Sequence, residues 1–90
     1  MRKNTKKATL RRLKIIEGHL KKVIEMAEED KYCIDILQQS LAVQNALKKV
    51  DSLILDEHLH RCVASAFKKG KKPKEKSIEE LLKVYKLSNK

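Results

Sequence analysis

The chain has 90 residues, of which 41% are hydrophobic and 38% charged, and its formal net charge is +10. A chain this short buries little apolar surface alone, so we expect one domain, residues 1–90, that completes its core by oligomerising. It has no apolar run that could span a membrane or serve as a signal peptide, which predicts a cytoplasmic protein. In that reducing compartment, its two cysteines indicate metal or thiol chemistry rather than a disulfide.

The positive charge is unevenly distributed along the chain. Residues 1–22 contain a dense set of lysines and arginines with Glu17 as their one acid, and a second basic cluster runs from Lys68 to Lys76. Such asymmetry favours a polyanionic partner, most commonly nucleic acid, although basic runs are also often only solvated helix faces.

Helical periodicity predicts an all-α fold of three helices with a long central helix. Residues 1–4 are expected to form a flexible tail, and Thr5 to cap the first helix. Gly18 lies inside that helix, which suggests that another backbone approaches closely there. Asp30 is the predicted cap of a second helix, which runs from about Tyr32 to Lys69.

Gly70 should terminate the second helix, and a Lys71–Pro73 turn should follow it. Ser77 and Glu80 match a capping box that opens a short third helix. The sequence contains no β-strand pattern, Gly-rich phosphate loop or hydrolase triad, so we do not expect an enzyme.

Three potential metal ligands lie at positions that one helix cannot bring together. His58 and Cys62 are four residues apart and share a helix face, but Cys33 lies about 37 Å away along a continuous helix. A shared ion therefore requires Cys33 from a second, antiparallel copy, which would cross the first near Asn45, Ala46 and Leu47.

Two thiolates and one imidazole suit Cu(I), and they could hold Zn(II) if a fourth ligand joined. The alternative is that each cysteine is a small core residue and each histidine a polar surface group. His60 points away from the face that His58 and Cys62 share, so we do not expect it to be a ligand. His19 is predicted to be a surface residue or a contact between helices.

The sequence resembles the copper-sensitive operon repressors, the CsoR/RcnR/FrmR family, over about residues 5–87. Three segments carry the resemblance: residues 12–19 (RLKIIEGH), residues 31–47 with KYCIDILQQ and AVQNAL, and residues 58–63 (HLHRCV). The resemblance implies an all-helical chain that forms antiparallel dimers with a four-helix core, and a dimer of dimers as the homotetramer. It also implies that the protein binds operator DNA and that an inducer lowers its affinity for this DNA.

The resemblance further implies which inducer the chain detects. The copper sensors of the family have Cys, His and Cys at the positions of Cys33, His58 and Cys62, with the first cysteine from the opposite protomer. The nickel and cobalt sensors have a histidine at the position of Cys62, and the persulfide sensors lack the histidine at position 58. The formaldehyde sensors use an N-terminal proline, whereas this chain has Arg2, so none of these patterns matches. The family's supporting tyrosine and glutamate correspond to Tyr32 and Glu80, with Glu79 as the alternative to Glu80 because the preceding loop is long.

For DNA, the resemblance implies contacts by Arg12 and Lys49, and Lys7, Arg11 and Lys14 are expected to extend that surface. The leading interpretation is a Cu(I)-responsive repressor of copper-homeostasis genes. One alternative is a repressor of the same family that senses persulfide or electrophiles through Cys33 and Cys62. Another, of a different class, is a cytoplasmic copper buffer or chaperone, against which the basic surface argues.

Overall fold

The computed structural model describes residues 1–63, 68 and 71–88. Those residues form helices, with a short turn at residues 29–32, and contain no β-strand. Helix α1 spans Lys3–Glu28, α2 spans Cys33–His58 and continues into a π-helical turn at Leu59–Val63, and α3 spans Lys71–Ser88. The all-α prediction with a long second helix is therefore confirmed. The chain separates into two compact units, Met1–Leu55 and Asp56–Lys90.

Helix α1 begins earlier than its apolar pattern indicates. Arg2 has an extended backbone at the N-cap, and its carbonyl accepts the amide of Lys6 at 2.9 Å. Thr5 therefore lies inside the helix and not at its cap. Lysine is a good helix former, so the basic residues before Thr5 extend the helix without a side-chain cap.

The end of α1 is a Schellman turn centred on Asp30. Asp30 has φ of 53°, its amide donates to the carbonyl of Ala27 at 3.2 Å, and the amide of Lys31 donates to Met26 at 3.0 Å. These two bonds satisfy carbonyls that the helix end would leave without partners. Asp30 therefore terminates α1 and does not cap α2, which starts at Cys33.

The first unit has a small core between α1 and α2. The buried apolar side chains among the described residues are Ile16, Val43 and Val50, and Val23 and Ala46 pack against them. Ala46 thus packs against its own chain, because each residue of a helix turns by about 100° and Ala46 falls on the same face as Val43 and Val50. The crossing with a second copy near Asn45, Ala46 and Leu47 stays a prediction.

Gly18 lies in the middle of α1, where glycine costs about 1 kcal/mol relative to alanine. A Cβ atom added at this position would meet nothing within 4 Å. The predicted close approach of another backbone is therefore absent within the described chain. The packing of a single chain does not require a glycine here.

The second unit contains the end of α2, the π-helical turn and α3. Helix α3 starts at Lys71 and not at Ser77, which lies six residues inside it and is buried. The Lys71–Pro73 segment is accordingly the first turn of the helix, where proline is tolerated because its missing amide would have no intrahelical partner. The predicted cap at Gly70 lies outside the described residues.

Candidate metal and DNA sites

Cys33 and Tyr32 lie at the start of α2. Cys33 is the first residue of the helix and carries a free, exposed thiol. Tyr32 precedes it with 67% of its surface exposed, and the Tyr32 carbonyl accepts the amide of Ile36 at 3.2 Å. The backbone of Tyr32 thus starts the helix, while its ring and the thiol of Cys33 remain accessible to a partner.

His58 is the last residue of α2 and is half-buried. Cys62 follows in the π-helical turn, and its side chain lies outside the described residues. The sequence predicted a regular α-helix through this pair, whereas the backbone widens to the i→i+5 pattern after His58. Such π-helical turns are rare and occur often at functional sites.

The residues around His58 make contacts along their own helix. Glu57 is 3% exposed and its carboxylate lies 3.9 Å from the guanidinium of Arg61. The Nδ1 atom of His60 lies 2.9 Å from the carbonyl oxygen of Asp56 and 3.3 Å from its carboxylate. His60 is thus engaged with Asp56 through Nδ1. That it is not a ligand of the proposed site stays a prediction.

The predicted ligands are placed in different units of the chain, Cys33 in the first and His58 and Cys62 in the second. Within residues 1–63, 68 and 71–88, no three His, Cys, Asp or Glu residues form a group that could hold a metal ion. Glu80 and Glu79 are exposed on α3. The donor set nevertheless fits a soft ion, because thiolate and imidazole are ligands that Cu(I) accepts.

His19 joins the two helices of the first unit. Its Nε2 atom lies 2.8 Å from Oε1 of Gln39. An amide oxygen accepts, so this hydrogen bond forms in the tautomer in which Nε2 of His19 is the donor. The sequence predicted a contact between helices as one role for His19, but it did not identify Gln39 as the partner.

The predicted DNA contacts are exposed cations, but they do not share one face. Lys7, Arg11 and Lys14 fall within about 60° of one another around α1, on the side opposite the core. Arg12 projects about 100° from Arg11, towards the edge of the α1–α2 interface. Lys49 is exposed on α2. Lys7, Arg11 and Lys14 therefore extend a face of α1 that Arg12 does not occupy.

The comparison with protein families covers most of the chain. Residues 5–86 match the sequence model of a family described as metal-sensitive transcriptional repressors. The chain belongs to this family. The family consists of regulators of transcription and not of enzymes, which confirms the expectation from the sequence.

Individual relatives in this family are named as copper sensors. The copper-sensing transcriptional repressor CsoR of Bacillus subtilis is 49% identical over 75 residues, which are 83% of this chain and 72% of the relative. The CsoR of Mycobacterium tuberculosis H37Rv is 37% identical over 83 residues, 92% of this chain and 68% of the relative. The resemblance to copper-sensitive operon repressors is therefore confirmed.

A solved structure has the same fold. The crystal structure of the copper-sensing repressor CsoR with Cu(I) from Geobacillus thermodenitrificans NG80-2 matches with a TM-score of 0.90 and 40% sequence identity. The match covers 100% of this chain and 92% of that chain. Among the described residues of this chain, no helix is both long and apolar enough to cross a membrane.

Proposed function

We propose that this protein is a Cu(I)-responsive repressor of transcription in the bacterial cytoplasm. In the absence of copper it binds operator DNA, and Cu(I) releases it, so that genes for copper efflux or homeostasis are transcribed. The observation that carries this function is the 49% identity to a copper-sensing repressor, together with the likeness to a repressor crystallised with Cu(I).

Cu(I) is held by Cys33 of one protomer and by His58 and Cys62 of its partner. Helix α2 starts at Cys33 and ends at His58, and a helix of 26 residues is about 39 Å long. The two ends of one helix therefore cannot bind the same ion. Because 25 residues make up nearly a whole number of helical turns, the side chains of Cys33 and His58 project from the same side of α2, within roughly 20° of each other.

The exposed apolar face of α2 supports an antiparallel dimer. Side chains on the side opposite Val43 and Val50 are left 40 to 53% exposed, namely Ile34, Leu37, Leu41 and Leu55. A second copy of α2 running in the opposite direction would cover them. It would also bring the Cys33 end of each helix to the His58 end of the other.

Two such dimers form the homotetramer, with a net charge of about +40 if each chain contributes +10. Arg12, Lys7, Arg11 and Lys14 of α1 and Lys49 of α2 bind DNA, chiefly through its phosphates. Tyr32 and Glu80, or Glu79 in place of Glu80, connect the bound copper to the change in shape that weakens DNA binding.

A copper titration of the complex with DNA tests the function. The probe is a duplex that carries the promoter region of the gene for this protein, and binding is followed by fluorescence anisotropy under anaerobic conditions. We expect Cu(I) to dissociate the complex and Zn(II) to leave it intact. Copper binding without any DNA binding would instead identify a buffer, and dissociation by persulfide but not by copper would identify a thiol sensor.

Mixing of subunits tests the shared site. Cys33→Ala and Cys62→Ala chains should each lose tight copper binding, because sulfur is the dominant donor. Refolded together, they form mixed dimers in which one of the two sites regains both cysteines. Competition with a Cu(I) chelator should then detect tight binding that neither variant shows alone, whereas a site within one chain would recover nothing.

A further inference from the structure

A continuous basic stripe covers the outer side of α1. Its six cations are Lys3, Lys7, Arg11, Lys14, Lys21 and Lys22. At about 100° per residue, they fall within an arc of roughly 100°, directly opposite the buried side chains of Thr9 and Ile16. All six are exposed, and none of them forms an ion pair with another side chain in the described part of the chain. We name this set the α1 basic stripe.

Gly18 lies on the midline of the α1 basic stripe, between Lys14 and the Lys21–Lys22 pair. The uncharged positions in this arc between Lys3 and Lys22 are Asn4 and Gly18. Only Gly18 has no side chain, and a Cβ atom there would be in open space. The packing of the chain thus gives no reason for a residue that weakens the helix. The reason must lie in something that approaches the helix from outside.

We propose that Gly18 is a docking point for the sugar–phosphate backbone of DNA on the α1 basic stripe. This inference rests on the proposed function and assigns a residue and a face to it. Without a side chain at Gly18, the backbone of the nucleic acid approaches the helix closely enough for the flanking lysines to bind phosphates on both sides. Glycine permits such close approach because it has no Cβ atom.

The dimensions and charge of the α1 basic stripe favour DNA over other occupants. From Lys3 to Lys22 the stripe is about 29 Å long, close to the roughly 34 Å of one turn of B-DNA. A compact anion would contact only part of this length. A second copy of the same stripe would be repelled, since six like charges would face six others.

The test compares the addition of a methyl group with the removal of a charge. Gly18→Ala should raise the melting temperature by about 5 °C, because alanine favours the helix. The same variant should bind DNA roughly tenfold more weakly, and Gly18→Leu more weakly still. The slope of log affinity against log salt should stay unchanged in both, because no cation is lost.

Two matched variants complete the comparison. Lys14→Ala removes one phosphate contact and should lower the magnitude of the salt slope by about one. Ser52→Ala favours the helix at an exposed position of α2 and should leave DNA affinity at the parent value. Together they separate loss of charge and gain of stability from the steric effect at Gly18.

The probe is the promoter duplex described above, with a mixed-sequence duplex at low salt for comparison. Unchanged DNA affinity in Gly18→Ala and Gly18→Leu would overturn the inference. A change in the sedimentation of either variant in the absence of DNA would also overturn the inference, because Gly18 would then lie at a contact between copies of the chain. A parent protein that binds neither duplex would refute the proposed function itself.

Discussion

Asp30 has a backbone conformation that is unfavourable for most residues with a side chain. Its φ of 53° lies in the left-handed region, which glycine adopts without penalty. We therefore expect Asp30→Gly to raise the free energy of unfolding by about 0.5–1 kcal/mol, and Asp30→Val to lower it. Urea denaturation monitored by circular dichroism measures both changes.

The neighbouring residue provides the control for this prediction. Glu29 has φ of −84°, which any residue adopts, so Glu29→Gly should lower stability through the added freedom of the unfolded chain. Its ion pair with Lys31 at 3.6 Å is exposed and contributes little. Stabilisation by both glycine variants would mean that the conformation of Asp30 is not the cause.

Capping residues were the least reliable part of the sequence-based prediction. Thr5, Asp30 and Ser77 were each expected to start a helix, and none of them does. A side-chain cap contributes only about 1 kcal/mol, so it does not fix a helix start when the preceding residues are themselves good helix formers. The sequence also did not predict the hydrogen bond between His19 and Gln39. Helical periodicity assigns residues to helix faces, but it does not show which residues of two helices contact each other.

At the scale of the helices, the apolar pattern predicted their existence and order correctly. It did not show which apolar residues a single chain buries. Helix α2 has apolar residues on two sides, and only the side with Val43 and Val50 is covered by α1. The exposure of Leu37 and Leu41 is visible only once the two helices are packed.

This exposed side gives a prediction about assembly. Leu41→Glu places a charge where the proposed dimer requires an apolar contact, while 49% of Leu41 is already exposed in the single chain. We expect the variant to sediment as a smaller species and to lose tight Cu(I) binding, since each site needs two protomers. Sedimentation velocity and chelator competition measure the two effects.

Ala42→Glu is the matched control for Leu41→Glu. Ala42 is exposed on the same helix and projects about 100° away from Leu41, outside the apolar side, so the same new charge should leave assembly and copper binding intact. A dimer that tolerates Leu41→Glu would place the contact between copies on another surface.

At the scale of the whole molecule, the proposed function makes copper and DNA compete through a change in conformation. If Cu(I) weakens DNA binding by some factor, DNA must weaken Cu(I) binding by the same factor. Tyr32→Phe and Glu80→Ala should leave Cu(I) affinity close to that of the parent and reduce this factor. Isothermal titration of copper into the free protein and into its DNA complex gives the factor directly.

The outcome separates ligand residues from residues that transmit the signal. Cys62→Ala should lose Cu(I) affinity itself, which makes it the reference for a direct ligand. If Tyr32→Phe and Glu80→Ala both respond to copper as the parent does, the signal passes through other residues. Glu79→Ala identifies whether the neighbouring carboxylate takes the role proposed for Glu80.

The small core of the first unit links the amount of this protein in the cell to its stability. With Ile16, Val43 and Val50 as the buried apolar residues there, much of the favourable burial must come from the proposed contact between chains. Folding and assembly are then one equilibrium, governed by mass action. Each tenfold dilution removes about 1.4 kcal/mol from the free energy that holds a two-chain assembly together. A newly synthesised chain would therefore remain exposed to proteases until it meets a second one, and the rate of synthesis would set the fraction of chains that survive to act as repressors.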